Sequence, residues 1–395
     1  MYFCCTQLIL KMNYFSSNFK LGILGGGQLG KMLLYNTRKF DIQTFVLDNS
    51  DQAPSKIACD KFVKGDLLDF DTVYNFGKQV DVLTIEIENV NVDALEQLEN
   101  ENVKVYPSSK TLRQIQNKAN QKLFYVDNNL PTAPFSRFAY LSEIEDAINN
   151  GGLEFPFVWK AARFGYDGNG VKIVRQLSDL EGLPAGECIA EEMIPFKNEL
   201  AVIVARNVSG DIKTYPVVEM EFHPEANQVE YVICPARISD DVAKKAQEVA
   251  LKTSEAFNHV GLLAVEMFQT QDDQFLINEV APRPHNSGHQ TIEASFTSQF
   301  EQHLRAILDL PLGETKSKVG GIMVNLVGAE GHTGNVLYKN IENIMNLEGV
   351  TPHIYGKKQT RPFRKMGHVT IVNEDLSKAR QIAEKVKNTI QVISE

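Results

Sequence analysis

The stretch LGILGGGQLGKM, Leu21 to Met32, sets G-x-G-x-x-G at Gly25, Gly27 and Gly30 between an apolar run and a helix-like run. Glycines fed from a strand into a helix start commit the chain to a βα unit, because that turn needs close backbone approach. The alternation then continues: IQTFVLD, VDVLTIEIE and VKVYP read as further strands up to about Tyr106. Strands alternating with helices across short turns predict a parallel, doubly wound sheet. Taken alone, the loop also predicts a dinucleotide site, with Asp48 at the end of TFVLD placed to meet a ribose.

Downstream the pattern changes. Pro131 and Pro134 follow a helical stretch and mark a boundary. FPFVWKAA and GVKIVR then read as strands flanking a glycine hairpin, with ECIAEEMI as a third strand. Beyond Glu199 the strands lengthen into what reads as an antiparallel sheet, followed by mixed strands and a final amphipathic helix. The expected fold class is α/β with α+β. A doubly wound domain spans 19–117 after an extension at 1–18. A small lid domain spans 118–198, and a large antiparallel domain with a C-terminal substrate-binding part spans 199–395.

Composition narrows the partners. A formal net charge of -10 repels nucleic acid and anionic membranes on average, and no run is apolar enough to span a bilayer. The five cysteines form no C-x-x-C pair, which points to a reducing, cytoplasmic setting.

Four constellations carry chemistry. In GYDGNG, Gly165, Gly168 and Gly170 allow backbone N–H groups to cradle phosphate, and Lys160 on the preceding strand adds charge; a plain hairpin with an exposed lysine is the alternative. Glu266 in LLAVEMF and Glu279 in FLINEVAPRP fall nearly opposite each other if the chain turns at Asp272 and Asp273. Facing carboxylates repel unless a proton or cation lies between them, and magnesium suits such a pair, with Asn278 as a neutral oxygen donor. Arg283, His285 and Asn286 follow on a segment stiffened by Pro282 and Pro284, where an arginine suits a transferred phosphoryl group. Lys357, Lys358, Arg361, Arg364 and Lys365 crowd into YGKKQTRPFRKMGH; in an acidic chain they invite an anionic substrate, or form a solvated loop. Two weaker signals are Glu191 and Glu192 at a strand end with Glu199 nearby, and Glu86 and Glu88 at the carboxyl end of a parallel strand. No Ser-His-Asp or Cys-His set is apparent, and His285 with His289 lacks a third zinc ligand.

Taken in order, these features resemble the ATP-grasp superfamily. Within it, GGGQLGKM, EIENV, KAARFGYDGNG, NEVAPRPHNSGH and YGKKQTRPFRKMGH resemble the 5-(carboxyamino)imidazole ribonucleotide synthetases of purine biosynthesis, from about Lys20 to the C-terminus. The resemblance implies an ATP- and bicarbonate-dependent ligase that carboxylates 5-aminoimidazole ribonucleotide through carboxyphosphate, releasing ADP and phosphate. It places ATP phosphates at Lys118 and Lys160 and under the segment Gly165, Tyr166, Asp167, Gly168, Asn169, Gly170 and Val171. Glu191, Glu192, Met193, Ile194 and Glu199 would line adenine and ribose, with Asn278 and Glu279 completing the nucleotide site. Glu266 and Glu279 would hold magnesium, with manganese as the alternative metal. Arg283, His285 and Asn286 would handle bicarbonate and carboxyphosphate; Lys357 and Arg364 would face carboxyphosphate or the ribonucleotide, whose pocket Gly27, Gln28, Leu29 and Glu86 would complete. The resemblance also implies a homodimer. Two positions depart from the family pattern: Lys118 stands where arginine is more usual, and Phe363 where RPGRKMGH has glycine. A nucleotide-dependent oxidoreductase, built on the opening loop and Asp48, and a related ligase such as a formate-dependent glycinamide ribonucleotide transformylase remain the alternatives.

Overall fold

The computed structural model describes residues 13–163, 170–224 and 228–395. The opening βα alternation forms a five-stranded parallel sheet of β1 (Lys20–Leu24), β2 (Gln43–Asp48), β3 (Lys61–Lys64), β4 (Val82–Ile85) and β5 (Lys104–Tyr106), in the order β3-β2-β1-β4-β5. Helices α1 (Gln28–Lys39), α2 (Phe70–Gly77) and α3 (Val92–Asn100) connect its strands. β1 is central because Leu21, Ile23 and Leu24 are wholly buried, as a strand covered on both faces must be. Ahead of it, Tyr14 meets Phe19 edge-on at 5.2 Å, so the end of the 1–18 segment packs on this domain.

Two helices, α4 (Ser109–Ile115) and α5 (Lys118–Asp127), lead into an antiparallel sheet of β6 (Phe135–Phe138), β7 (Phe157–Ala161), β8 (Val171–Val174) and β9 (Cys188–Glu192), ordered β6-β9-β7-β8. Helix α6 (Leu141–Asn149) covers it around a core holding Trp159, Phe157 and Ile144. β7 and β8 pair antiparallel with Lys160 opposite Val171, as the glycine hairpin predicts. Phe164, Gly165, Tyr166, Asp167, Gly168 and Asn169, between β7 and β8 in the chain, lie outside the described residues.

The third layer contains β10 (Phe196–Arg206), β11 (Ile212–Thr214), β12 (Val218–Phe222), β13 (Val229–Cys234), β14 (Gly261–Thr270) and β15 (Phe275–Ala281). Helix α7 (Asp240–Phe257) begins at Ser239, whose side chain accepts from Val242 N–H, and stops at Asn258 in the left-handed conformation. After the short α8 (Thr291–Ala294) and α9 (Gln299–Ile307) come β16 (Gly320–Val327), β17 (Gly334–Lys339), β18 (Val350–Ile354), β19 (Gln359–Thr360), β20 (Lys365–Asn373), α10 (Leu376–Thr389) and β21 (Gln391–Ser394). One sheet runs β15-β14-β10-β12-β13-β16-β20-β18, so the C-terminal strands extend the large sheet. β17, β19 and β21 form a separate small sheet.

Helix α9 brings the first and third layers together. Its Phe300, Leu304 and Ile307 share a core with Leu21, Ile23, Leu33 and Val46 of the parallel sheet. Full burial of such side chains contributes about 1.5–3 kcal/mol each, so the two layers are stabilised as one body. Buried His303 of α9 adds a 2.9 Å hydrogen bond to Thr84 of β4. This contact sets the carboxyl ends of the parallel strands beside the end of β15. Among the described residues no helix is long and apolar enough to cross a membrane.

Candidate active site

The glycine loop has a local explanation. Gly27, at the start of α1, has no side chain to cap the helix. The carboxylate of Glu86, just past β4, does so instead: Gly27 N–H donates to Oε1 at 2.9 Å and Gly30 N–H to Oε2 at 3.0 Å. Asp48 accepts from Gly26 N–H at 2.7 Å. A Cβ on Gly25 would lie 2.6 Å from Glu86 Cγ, and one on Gly27 only 2.7 Å from its Oε1. The glycines therefore admit a protein carboxylate where a dinucleotide site would admit pyrophosphate. Asp48, expected at a ribose in the oxidoreductase alternative, is occupied by the loop itself. Burial pushes the Glu86 carboxyl up, opposed by the two N–H donors and by the charge of Arg283.

The paired acids meet as expected. Glu266 and Glu279 are direct partners in the β14–β15 register. Glu266 is buried, and burial with the charges of Glu279 and Glu199 raises its carboxyl well above the ordinary range. Lys118 Nζ lies 2.5 Å from Glu279 Oε2 and holds that carboxyl down to about 2. His285 Nε2 approaches Glu266 Oε1 at 3.4 Å. A like-charge pair pressed together in this way repels unless a proton or a cation lies between the carboxylates, and Lys118 meets the charge of Glu279. Among the described residues no group of three His, Cys, Asp or Glu converges for a metal. The donor set is thus two carboxylates, with Asn278 beside them on β15, which fits a magnesium ion completed by phosphate and water.

Cations from two elements face these acids. Lys160 on β7 lies 2.7 Å from Glu191 Oε2 and donates to Asn278 Oδ1 at 2.9 Å. Lys122, one turn beyond Lys118 on α5, takes the other Glu191 oxygen at 2.8 Å. The Glu191 carboxylate, expected along the nucleotide, is instead buried between two ammonium groups, which leaves only its backbone for a ligand. Glu192 and Met193 are exposed and Ile194 half-buried at the end of β9. Glu199 is half-buried on β10, and burial, reinforced by the Glu279 charge, pushes its carboxyl up to about 7. Gly170 has a φ of +78° and its carbonyl accepts from Ala161 N–H at 2.9 Å, closing the base of the hairpin ahead of Val171.

The segment after β15 joins this cleft to the glycine loop. Arg283 Nε pairs with Glu88 Oε2 at 2.8 Å, two residues from Glu86. Buried Asn286 exchanges reciprocal 3.0 Å amide hydrogen bonds with Asn325 of β16. The basic loop closes the other side. Lys357 Nζ donates to Lys365 O at 2.7 Å, and Arg364 Nη1 donates to Gln359 O at 2.6 Å. Lys31 of α1 donates to Ile354 O at 2.9 Å, which seats the helix carrying half-buried Gln28 and buried Leu29 beside that loop. The Lys365 charge also reaches Glu266. Phe363 has a φ of +59° and its ring meets His223 edge-on at 6.0 Å. That left-handed backbone is the physical reason glycine is usual there.

Sequence reasoning missed Lys31, Lys122 and Asn325. Lys122 carried a signal in its four-residue spacing from Lys118, which puts both on one helix face. The other two depend on contacts between residues 323 positions apart, for Lys31, and 39 apart, for Asn325.

A lid-like antiparallel sheet and a large sheet enclosing lysines and paired acids, behind a parallel-sheet domain, define an ATP-grasp enzyme. Residues 123–300 match the ATP-grasp domain, 19–116 the ribonucleotide synthetase preATP-grasp domain, and 321–382 the phosphoribosylaminoimidazole carboxylase C-terminal domain. The N5-carboxyaminoimidazole ribonucleotide synthase of Bacillus subtilis is 37% identical over 90% of this chain and 91% of its own length. The structure of the Thermotoga maritima synthetase superposes with a TM-score of 0.87 at 41% identity, covering 95% of this chain and 100% of that one. That of the Aspergillus clavatus N5-carboxyaminoimidazole synthase, in complex with ADP and 5-aminoimidazole ribonucleotide, gives 0.86 at 35%, covering 94% and 98%. The phosphoribosylaminoimidazole carboxylase of Saccharomyces cerevisiae is 36% identical over 91% of this chain, which spans 65% of that longer protein. The chain belongs to the N5-carboxyaminoimidazole ribonucleotide synthase family, ATP-grasp ligases that form carbon–nitrogen bonds.

Proposed function

We propose that this chain carboxylates the amine of 5-aminoimidazole ribonucleotide, using ATP and bicarbonate, in purine biosynthesis. ATP transfers its terminal phosphoryl group to bicarbonate, giving ADP and carboxyphosphate. The amine takes the carboxyl group and phosphate leaves. The observation that carries the reading is the convergence of Lys118, Lys160 and the Glu266–Glu279 pair beside Arg283, which is tied to the glycine-loop domain through Glu88. Phosphoryl transfer needs positioning, cations and metal more than a protein nucleophile, and this cleft offers those.

In this reading Lys118, Lys160 and the segment 165–171 bind the ATP phosphates. Glu192, Met193, Ile194 and Glu199, with the Glu191 backbone, line adenine and ribose, next to Asn278. Glu266 and Glu279 would hold magnesium, or manganese, which when bound neutralises charge on the transferring phosphates. Arg283 orients bicarbonate and carboxyphosphate, with His285 and Asn286. Gly27, Gln28, Leu29 and Glu86 face the ribonucleotide from one side, Lys357 and Arg364 from the other. Covering the cleft keeps water from an acyl phosphate that hydrolyses readily. The working units are 19–117, 118–198 and 199–395, in a cytoplasmic homodimer. The structure of the Aspergillus clavatus relative with ADP and the ribonucleotide supports both substrate assignments.

The test is an ADP-release assay with and without bicarbonate and each acceptor amine. ADP release requiring both bicarbonate and 5-aminoimidazole ribonucleotide is expected. ATP turnover indifferent to the ribonucleotide refutes the substrate; turnover driven by formate and glycinamide ribonucleotide moves the chain to the related ligase.

A further inference from the structure

Lys122 is the most deeply buried cation beside the cleft, at 2% side-chain exposure, and the roles above leave it unused. It faces Glu191, itself 3% exposed, and shares that single carboxylate with Lys160. Its ammonium also donates to Thr132 Oγ1 at 2.6 Å, and Thr132 Oγ1 donates to Ile277 O at 2.9 Å. Ile277 N–H in turn donates to Pro131 O at 2.8 Å. Ile277 immediately precedes Asn278 and Glu279 on β15. One side chain therefore reaches the lid sheet through Glu191 and the metal-holding strand through Thr132.

The charge count is the key to its role. Glu191 carries one negative charge between two ammonium groups. With Lys122 present the trio keeps a net positive charge; without it, Glu191 and Lys160 cancel. A buried carboxylate with one remaining partner holds that partner more tightly, because its desolvation is offset by a single ion pair. Lys160 would then be withdrawn from Asn278 and from any phosphate.

We propose that Lys122 is a positioning residue for ATP: by neutralising Glu191 it leaves the Lys160 ammonium available to the nucleotide phosphates, and through Thr132 it fixes that ammonium relative to β15. The proposal rests on the reading of this cleft as the ATP site. That reading fails if the wild-type chain shows no ATP-dependent turnover; the proposal is judged only against an active wild type.

The experiment compares wild type, Lys122→Gln and the double variant Lys122→Met with Glu191→Gln, each checked by thermal unfolding. Steady-state ADP release is measured while ATP and 5-aminoimidazole ribonucleotide are varied separately. Lys122→Gln is expected to raise the KM for ATP at least tenfold and leave that for the ribonucleotide within about twofold. The double variant, which removes the charge that captures Lys160, is expected to recover at least a third of the lost kcat/KM for ATP. An unchanged KM for ATP in Lys122→Gln overturns the proposal. So do equal rises for both substrates, or a double variant no better than the single one. Should Lys122→Gln fail to fold, the double variant, in which Lys160 keeps its hydrogen bond to Asn278 and the nearby charges of Glu279 and Glu199, is compared with wild type directly. A KM for ATP within tenfold of wild type then supports the proposal, and a larger rise overturns it.

Discussion

Replacing Glu86 by glutamine keeps the shape of the side chain and changes only what it can accept. The two carboxylate oxygens each receive one backbone N–H, from Gly27 at 2.9 Å and Gly30 at 3.0 Å. Glutamine offers one oxygen and one amino group, so in either orientation one N–H faces another donor. Leaving that N–H unsatisfied costs about 1–3 kcal/mol, and the surviving bond loses roughly 1 kcal/mol with its charge. Loss of a negative charge at the start of α1 adds about 0.3–1 kcal/mol. Against this, a neutral side chain is cheaper to bury, and burial already pushes the Glu86 carboxyl up. The balance is a destabilisation of about 2 kcal/mol, set by the unsatisfied donor. Unfolding entropy grows with chain length, so a large cooperative unit falls only about 1–2 °C per kcal/mol, and Tm should fall by about 2–4 °C. Scanning calorimetry without ligand measures it, and the KM for the ribonucleotide should rise in the same variant. A Tm within 1 °C of wild type, or above it, refutes the idea that the glycines exist to admit this carboxylate.

The remaining expectations concern the metal pair, acid stability and the basic loop. Glu279→Gln removes one of two carboxylates and the partner of Lys118. Turnover at ordinary magnesium should fall at least about 100-fold and recover in part as magnesium is raised, since even outer-shell partners of a metal are worth 10–100-fold; undiminished turnover contradicts the metal role. Buried His259 and His303 are held down to about 4 and about 3 by burial, so the folded state refuses protons that the unfolded chain takes up near pH 6.5. Stability is therefore complete above pH 6.5 and falls as pH drops toward those values, by about 1.4 kcal/mol per unit for each histidine. Buried His289 and His368, held well below the usual histidine range by burial, add to this slope; denaturant unfolding between pH 7 and 5 should show it, and His303→Gln, which keeps a partner for Thr84, should remove about a quarter of the histidine part. At Phe363, with its φ of +59°, glycine should be more stable than alanine by about 1 kcal/mol, because only glycine avoids the left-handed penalty. Paired melts of Phe363→Gly and Phe363→Ala read this directly; alanine equal to glycine would show the backbone is unstrained.

Much of the molecule was legible in the linear chain because its signals are local. Alternating strands and helices specified the parallel sheet. The turn at Asp272 and Asp273 announced the antiparallel pairing that brings Glu266 close to Glu279, but its register continued alone would oppose Glu266 to Asn278; an irregularity between Glu266 and Met267 moves Glu279 into that place. The glycine loop likewise announced the antiparallel pairing of β7 with β8.

What the chain order could not reveal is which charges cancel. In sequence Glu191 looked like a ligand-facing acid; the fold buries it between Lys122 and Lys160. The G-x-G-x-x-G loop looked like a pyrophosphate cradle; the fold fills it with Glu86, delivered from the neighbouring strand 59 residues away from Gly27. Turns and periodicities depend on adjacent residues and survive in a one-dimensional reading. Charge pairing and occupancy depend on which distant groups are desolvated together, and only the packed layers decide that.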